Sequence, residues 1–511
     1  MDPAKRIITN TIAQYVKVIT NTILALYSTR IVLDILTFSD YGLFALIAGI
    51  VGMLGFITNA LIVTTQRYMS YYYGESKEYV KQIFTNSLCI HALLGILICC
   101  FLLSIKYLLI EKFLTIDPTR IGTASIVYDI TTVIFFTTIM TSPFKALLIS
   151  HENIVYISII EIIDGLLKLL LAFSLILFNG DKLIIYTYGL SLILFLNFIA
   201  FIFYDVIKYK ECTFNFKRYP LNKKCTDQLL GFTGWTTYGM LAGVIRNQGS
   251  AAILNHFMGT VVNAAYGIAS QVYGTVSFFS SSLLNAMNPQ IMKAEGNNNR
   301  TLMLELACKE SKFSTAMMAI ISIPIMVEMP AILDFWLKQV PAHTVLFCRS
   351  ILLAFLFDQI TLGLHSANQA MGNIKKYTLL MFTPKILYLP LITLLLYKGS
   401  SLTTIMIIYV AIECVVAIMR IPFLKYTAGL NMSEYFRMAI LPIIPLSATS
   451  FISAITCKAF FNFNYSFFAT LIISSLCSIL IAWFFTLDVR EREYVIRNIP
   501  QIKKPHATIE H

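Results

Sequence analysis

Residues 8–29 read ITNTIAQYVKVITNTILALYST, and this stretch decides the class of the chain. It is long enough to cross the hydrocarbon layer, which takes about 20 residues of helix. Asn10, Gln14, Lys17 and Asn21 recur at spacings that put them on one helical face. The stretch holds no acidic residue to neutralise Lys17. A charge at that depth is costly unless it faces water or a partner, so Lys17 is a functional candidate, expected to face a cavity. The structural alternative is a pair with Glu161 or Asp164 of another helix.

Comparable apolar runs continue to the end of the chain. By the same length criterion about fourteen spans are predicted, at 8–29, 41–65, 83–109, 123–147, 155–178, 182–206, 229–255, 261–288, 313–337, 343–368, 374–397, 402–425, 435–460 and 465–486. The chain of 511 residues is 57% hydrophobic and 13% charged, against about 25% charged for a soluble domain. It reads as an all-α integral membrane protein. The expected units are an N-terminal six-helix bundle (1–207), a basic linker (208–228), a second six-helix bundle (229–425), an additional helix pair (426–486) and a basic tail (487–511).

With both termini on the cytoplasmic side, the inner face receives Lys208, Lys210, Lys217, Arg218, Lys223, Lys224, Lys293, Arg300, Lys375, Lys376 and the tail from Arg490 to Lys504. The outer face receives few, such as Lys112, Arg120, Lys182 and Lys398. This is the positive-inside bias, so the net charge of +12 reports topology and contact with lipid headgroups rather than nucleic-acid binding. The N-terminus MDPAKRIITN lacks the clean apolar core of a cleaved signal peptide. Ten cysteines show no CxxC spacing, so no disulfide framework, metal site or cofactor is expected.

A weak internal repeat at separations of 221 to 225 residues pairs Leu33-Asp34 with Leu254-Asn255, Gly74 with Gly296, Tyr156 with Tyr377, and Tyr41-Gly42 with Tyr266-Gly267. Duplicated transporter halves leave such a signal. Each half then opens on a span with a lone cation, the second being Arg246, followed by Asn247 and Gln248. The alternative for Arg246 is an interfacial position. Span eight carries a stripe of Asn263, Gly267, Ser270, Gly274, Ser277, Ser281 and Asn285. Small residues permit close helix packing, but the two asparagines call for a neighbouring helix or water.

Further charges fall inside spans. Glu161, Asp164 and Lys168 can share a face of span five and pair with one another. Asp358, Thr361, His365 and Gln369 share a face of span ten, where a His beside a carboxylate would suit proton transfer. Glu161, Asp164, Asp358 and His365 are therefore the candidates for proton or ion coupling. Asp129, Glu328, Lys385 and Glu413 are scattered and carry no assigned role. Pro384 and Pro390 in span eleven, with Pro442 and Pro445 in span thirteen, are expected to kink or break their helices.

The run RIVLDILTFSDYG from Arg30 to Gly42, then Gln66 to Ser70 (QRYMS) with Gly74, resembles the opening of polysaccharide flippases of the Wzx type. These belong to the multidrug/oligosaccharidyl-lipid/polysaccharide (MOP) exporter superfamily. RNQGSAAILNHFMGTVVNAAYG from Arg246 to Gly267, with Asn288-Pro289-Gln290, is similar to the start of that superfamily's second half. The resemblance implies a MATE-like pair of six-helix bundles around a cavity open alternately to either side of a bacterial inner membrane. It implies an undecaprenyl-diphosphate-linked oligosaccharide as cargo, with membrane lipids and polysaccharide assembly proteins as candidate partners. Substrate contacts would come from Lys17, Arg246, Asn10, Gln14, Asn21, Gln248, Asn263 and Asn285. Fourteen spans exceed the twelve of the basic plan and resemble the lipid II flippase branch, whose dense cavity arginines this chain does not show.

The alternative is a multidrug exporter of the same superfamily, which would want cavity carboxylates. Spans one, seven and eight hold none centrally. A glycan-polymerising enzyme would need a large outer loop, and the outer connections are short. The phosphate loop GxxxxGK followed by Ser or Thr is absent, which excludes ATP hydrolysis by that route.

Overall fold

A computed structural model describes residues 3–493, apart from 75, 114–115, 338, 462–464 and 490. Most of the expected basic tail, from Arg490 onward except 491–493, thus lies outside the described residues. The described chain is helical, without strands. The first half contains α1 (Pro3–Gly52), α2 (Gly55–Tyr72), α3 (Lys77–Tyr107), α4 (Ile121–Ser150), α5 (Ile154–Ser174) and α6 (Lys182–Lys208). The second contains α7 (Lys223–Gly296), α8 (Arg300–Val327), α9 (Met329–Trp336), α10 (Thr344–Gln359), α11 (Leu362–Met371), α12 (Ile374–Tyr397) and α13 (Leu402–Ala428). The short α14 (Met432–Tyr435) leads to α15 (Ile443–Phe460) and α16 (Ser466–Ile481).

The first half begins differently from the sequence expectation. A helix of 50 residues is about 75 Å long, far more than one crossing needs, and α1 runs without interruption through the loop expected near residue 35. Helix α7, 74 residues in all, is instead two helical segments joined across a kink. Its break is Gly259, between the expected spans seven and eight, with φ 82° and ψ −179°, a conformation open to glycine and strained for other residues.

Among the described residues, nine helices are long and apolar enough to cross a membrane, or up to eleven if each bent pair is one span. The fourteen expected crossings are not reached on that measure for a chemical reason. Helix α5 carries three charges, Glu161, Asp164 and Lys168, and α7 is rich in polar and small residues. Span ten is broken by 49° between α10 and α11. By contrast, α12 continues through Pro384 and Pro390 without the expected break, while Pro442 does stand immediately before α15.

Each half has its own apolar core. One gathers residues from Val32 to Phe201 and is joined by Cys225, Leu229, Phe232 and Ile374 at the basic end of the second half. The other half holds two cores, one around Leu254, Phe347 and Ile405 and one around Ile291, Met303 and Tyr377. Helix α15 adds Ile443 and Leu446 against Ala316, Ala319 and Ile323 of α8.

The polar and aromatic contacts that join the halves cluster towards the face bearing the basic loops. Thr233 bonds Thr64 at 3.0 Å, Tyr68 bonds the carbonyl of Gln228 at 3.3 Å, and Lys293 meets Glu152 at 2.6 Å. Gly74 and Gly296, related by the internal repeat, lie at this seam. A Cβ on Gly296 would collide with the carbonyl of Tyr71, and one on Gly74 with Asn297. The contacts reach as far as Tyr15, whose hydroxyl donates to Sδ of Met317 at 2.7 Å, and Lys17, 5.9 Å from the Phe278 ring. The halves are therefore joined on the basic face, and Lys17 marks the far end of these contacts.

Candidate functional site

Neither Lys17 nor Arg246 is unpaired, and the expectation of a lone cation is corrected for both. Lys17 Nζ lies 2.9 Å from Glu161 on α5, the alternative named from the sequence. Lys145 of α4 takes the other Glu161 oxygen, also at 2.9 Å. Asp164 pairs with Lys168 at 2.7 Å, as the spacing predicts, and accepts a bond from Asn197 at 2.7 Å. The cluster opens into a cavity of about 380 Å³ in the N-terminal bundle, lined by Asn21, Thr58, Asn59, Thr141 and Asn197 among others.

The polar face of α1 is correspondingly a packing face. Asn10 and Gln14 are buried, Asn10 donates to the Glu152 carbonyl at 2.8 Å, and Asn21 donates to the Glu161 carbonyl at 3.1 Å. The opposite face exposes Ile8, Ile12, Val16, Ile19, Ile23 and Tyr27. In a bilayer the apolar side suits lipid, and the amides find partners on α5 and its preceding loop.

Arg246 bonds Glu413 of α13, and the other Glu413 oxygen lies 2.9 Å from Lys385 of α12. The interfacial alternative fails too, because Arg246 sits within the bundle, stacked 4.8 Å from the Tyr409 ring. Beside this group Asp358 pairs with Arg420 of α13 at 2.7 Å, and Arg420 also donates to Thr361 at 3.2 Å. These residues border a cavity of only about 40 Å³. His365 and Asp358, expected to share a polar face of span ten, bond other partners. Asp358 turns to Arg420, and His365 bonds Tyr377 at 3.1 Å and Gln369 at 3.0 Å.

The stripe on the second half of α7 does not serve close packing. Nothing lies within 4 Å of a Cβ added at Gly267 or Gly274, and Gly267, Gly274, Ser281 and Asn285 are exposed. Phe278, whose ring lies 5.9 Å from Lys17 Nζ, is one helical turn from both Gly274 and Ser281, which sets this part of the stripe beside α1. Asn263 is half-buried, and Gln248 is exposed on the first half of α7.

Residues that the sequence reading passed over complete the picture. Lys145, Lys385, Glu413 and Arg420 are the partners of the singled-out charges, and an excess of cations over acids inside the spans was the available signal. Two more belong to the closure of the basic face. Glu152 receives Lys293 of the other half, together with Arg6 at 3.4 Å and Gln290 at 3.4 Å. Arg67 donates across the seam to the carbonyls of Gln369 at 2.9 Å and Ala370 at 2.8 Å, with its guanidinium on the rings of Tyr68, Tyr71 and Phe232.

No family model and no curated protein matches the chain. Solved structures do match. A multidrug resistance MATE family transporter of the MOP superfamily, in an outward-facing conformation, aligns with a TM-score of 0.73 at 13% identity, over 85% of this chain and 97% of its own. A MATE in complex with MaL6 aligns at 0.71 and 14%, over 86% and 98%. A MOP superfamily transporter from Pyrococcus furiosus, whose binding pocket of reverse polarity suggests a different function, aligns at 0.71 and 14%, over 84% and 96%. The bundles and their apolar helices thus make this a multi-pass membrane protein with the fold of the MATE transporters of the MOP superfamily.

Proposed function

We propose that the chain moves an undecaprenyl-diphosphate-linked oligosaccharide, such as a capsule, O-antigen or exopolysaccharide unit, across a bacterial cytoplasmic membrane by alternating access. One observation carries the reading against a cation exporter. Each bundle's central cluster holds three cations and two carboxylates: Lys17, Lys145 and Lys168 with Glu161 and Asp164, then Arg246, Lys385 and Arg420 with Asp358 and Glu413. An excess of positive charge on both sides of a low-dielectric cleft attracts a diphosphate and repels organic cations.

Further features support it. The polar contacts that join the bundles gather at the basic face, as they would in one state of an alternating-access cycle. Lys17, which approaches Phe278 of α7, and the stripe from Asn263 to Asn285 would supply charge and hydrogen bonds for the headgroup. An apolar groove of about 890 Å³ between α8, α10 and α15, with Arg349 and Lys458 towards one end, suits an isoprenoid tail. The extra helix pair provides one wall through α15. In this reading Glu161 and Asp164, beside the cavity of the N-terminal bundle, are the candidates for coupling transport to an ion gradient.

The test compares Lys17→Gln with wild type in cells depleted of the native protein. Loss of surface glycan with lipid-linked precursor retained on the inner leaflet, at unchanged membrane abundance, is the expected result. Normal display would overturn the role of Lys17. Sodium-dependent extrusion of a cationic dye from vesicles would overturn the anionic cargo in favour of multidrug export, the activity that Glu161 and Asp164 in a hydrated cavity would suit.

A further inference from the structure

The cavity of about 380 Å³ inside the N-terminal bundle lies beside the cleft rather than between the two bundles, and its walls come from five helices, α1, α2, α4, α5 and α6. A second cavity of about 390 Å³ shares Thr58, Asn59, Thr138 and Leu194 with it. Both volumes fall in the range of small-molecule sites, about 300–1,000 Å³.

The chemistry of the wall is specific. Thr137, Thr138, Thr141 and Ser142 each donate their hydroxyl hydrogen to the carbonyl four residues back, at 2.7 to 3.1 Å, so their lone pairs remain to accept. Asn21 Oδ1 is buried without a partner, and Asn197 uses its amide nitrogen on Asp164. Thr58, 6% exposed, has a hydroxyl with no partner at all and borders both cavities. Buried polar groups are normally satisfied, and such a set of unused acceptors and an unused donor needs a partner rich in hydroxyls. Free cations are a poor match, because Glu161 and Asp164 already hold ammonium groups.

We propose that this chamber is a binding subsite for a neutral sugar ring. Vicinal hydroxyls both donate and accept, which is what Thr58, Asn59 and the hydroxyl row of α4 require. The inference rests on the glycan-transport reading for its physiological ligand, since a sugar residue of the cargo would leave the cleft and enter the N-terminal bundle. It assigns the two bundles unequal work, with recognition of the glycan in one and a dry ion network in the other.

Saturation-transfer NMR on the full chain in nanodiscs tests it, with glucose, galactose and N-acetylglucosamine as probes. The expected result is transfer to the ring protons of at least one sugar, with binding about ten-fold weaker in Thr138→Val, which removes one hydroxyl of the wall. Asn59→Leu, at an exposed position of the wall, gives the same loss if Thr138→Val fails to fold. Thr427→Ala, at an exposed position near the end of α13 outside the proposed sites, leaves binding unchanged. Absence of transfer from all three sugars, or equal transfer in the wall variants and wild type, would overturn the subsite and leave a water-filled chamber. Failure of glycan display in Lys17→Gln alongside absent sugar binding would retain the transport reading. Sugar binding with normal display would retain the subsite alone.

Discussion

The two central ion clusters hold the same formal charges and differ in exposure and in the space around them. In the N-terminal bundle the Glu161 side chain is 31% exposed and borders a cavity of about 380 Å³. In the second bundle the Glu413 side chain is 4% exposed, against about 40 Å³ of space. A hydrated pair gains little net energy and stays free to exchange partners. A dry one has already lost its hydration, so each member depends on the others, and removing one leaves an uncompensated buried charge. The shared excess of cations gives both clusters an attraction for anions, and burial is what separates their roles. We read the dry network as a rigid element and the hydrated one as the working site.

The sharpest way to break this contrast is Glu413→Gln, which leaves Arg246 and Lys385 facing each other. It is expected to destabilise the protein by about 3–5 kcal/mol, seen as a lower unfolding temperature and lower abundance in the membrane. A cost similar to that of Glu161→Gln would remove the distinction.

Next in size is the seam. Gly296→Ala forces a methyl against the Tyr71 carbonyl and should disfavour the closed basic face by about 1–3 kcal/mol. Hydrogen exchange in residues 66–74 and 286–296 should quicken. Unchanged exchange there would mean that the halves do not separate at this contact.

Glu161→Gln should cost about 1 kcal/mol or less, because water in the chamber can solvate Lys17 and Lys145. Thermal unfolding of the purified protein measures it directly. The smallest effect is Gly274→Ala, in the cleft wall between the clusters. With nothing within 4 Å of the added methyl, the helix preference for Ala should stabilise by about 0.5–1 kcal/mol. Destabilisation would restore the close-packing reading of the stripe.

Much of the fold was legible because membrane crossing imposes length and apolarity on each segment. Gly259 falls in the short gap between the runs 229–255 and 261–288, and Lys17 and Arg246 stand out as ionised groups in apolar surroundings. The partners did not stand out. Lys145, Lys385, Glu413 and Arg420 each sit on a different helix from the group they neutralise, and helical periodicity carries no information about which faces meet. For the same reason the polar face of α1 reads equally well as cavity lining or as a contact with α5. The continuity of α1 past residue 35 was hidden because the intervening residues contain no Gly or Pro to declare a break or its absence.

By itself the sequence determined a multi-pass helical membrane protein with a basic face, an internal repeat and charges at membrane depth. It did so because the cost of exposing charge and backbone to lipid acts on each helix separately. Tertiary structure decided which charges pair, which cluster stays wet, and which face is closed. Those depend on contacts between helices distant in the chain, as when Arg67 reaches the carbonyls of Gln369 and Ala370.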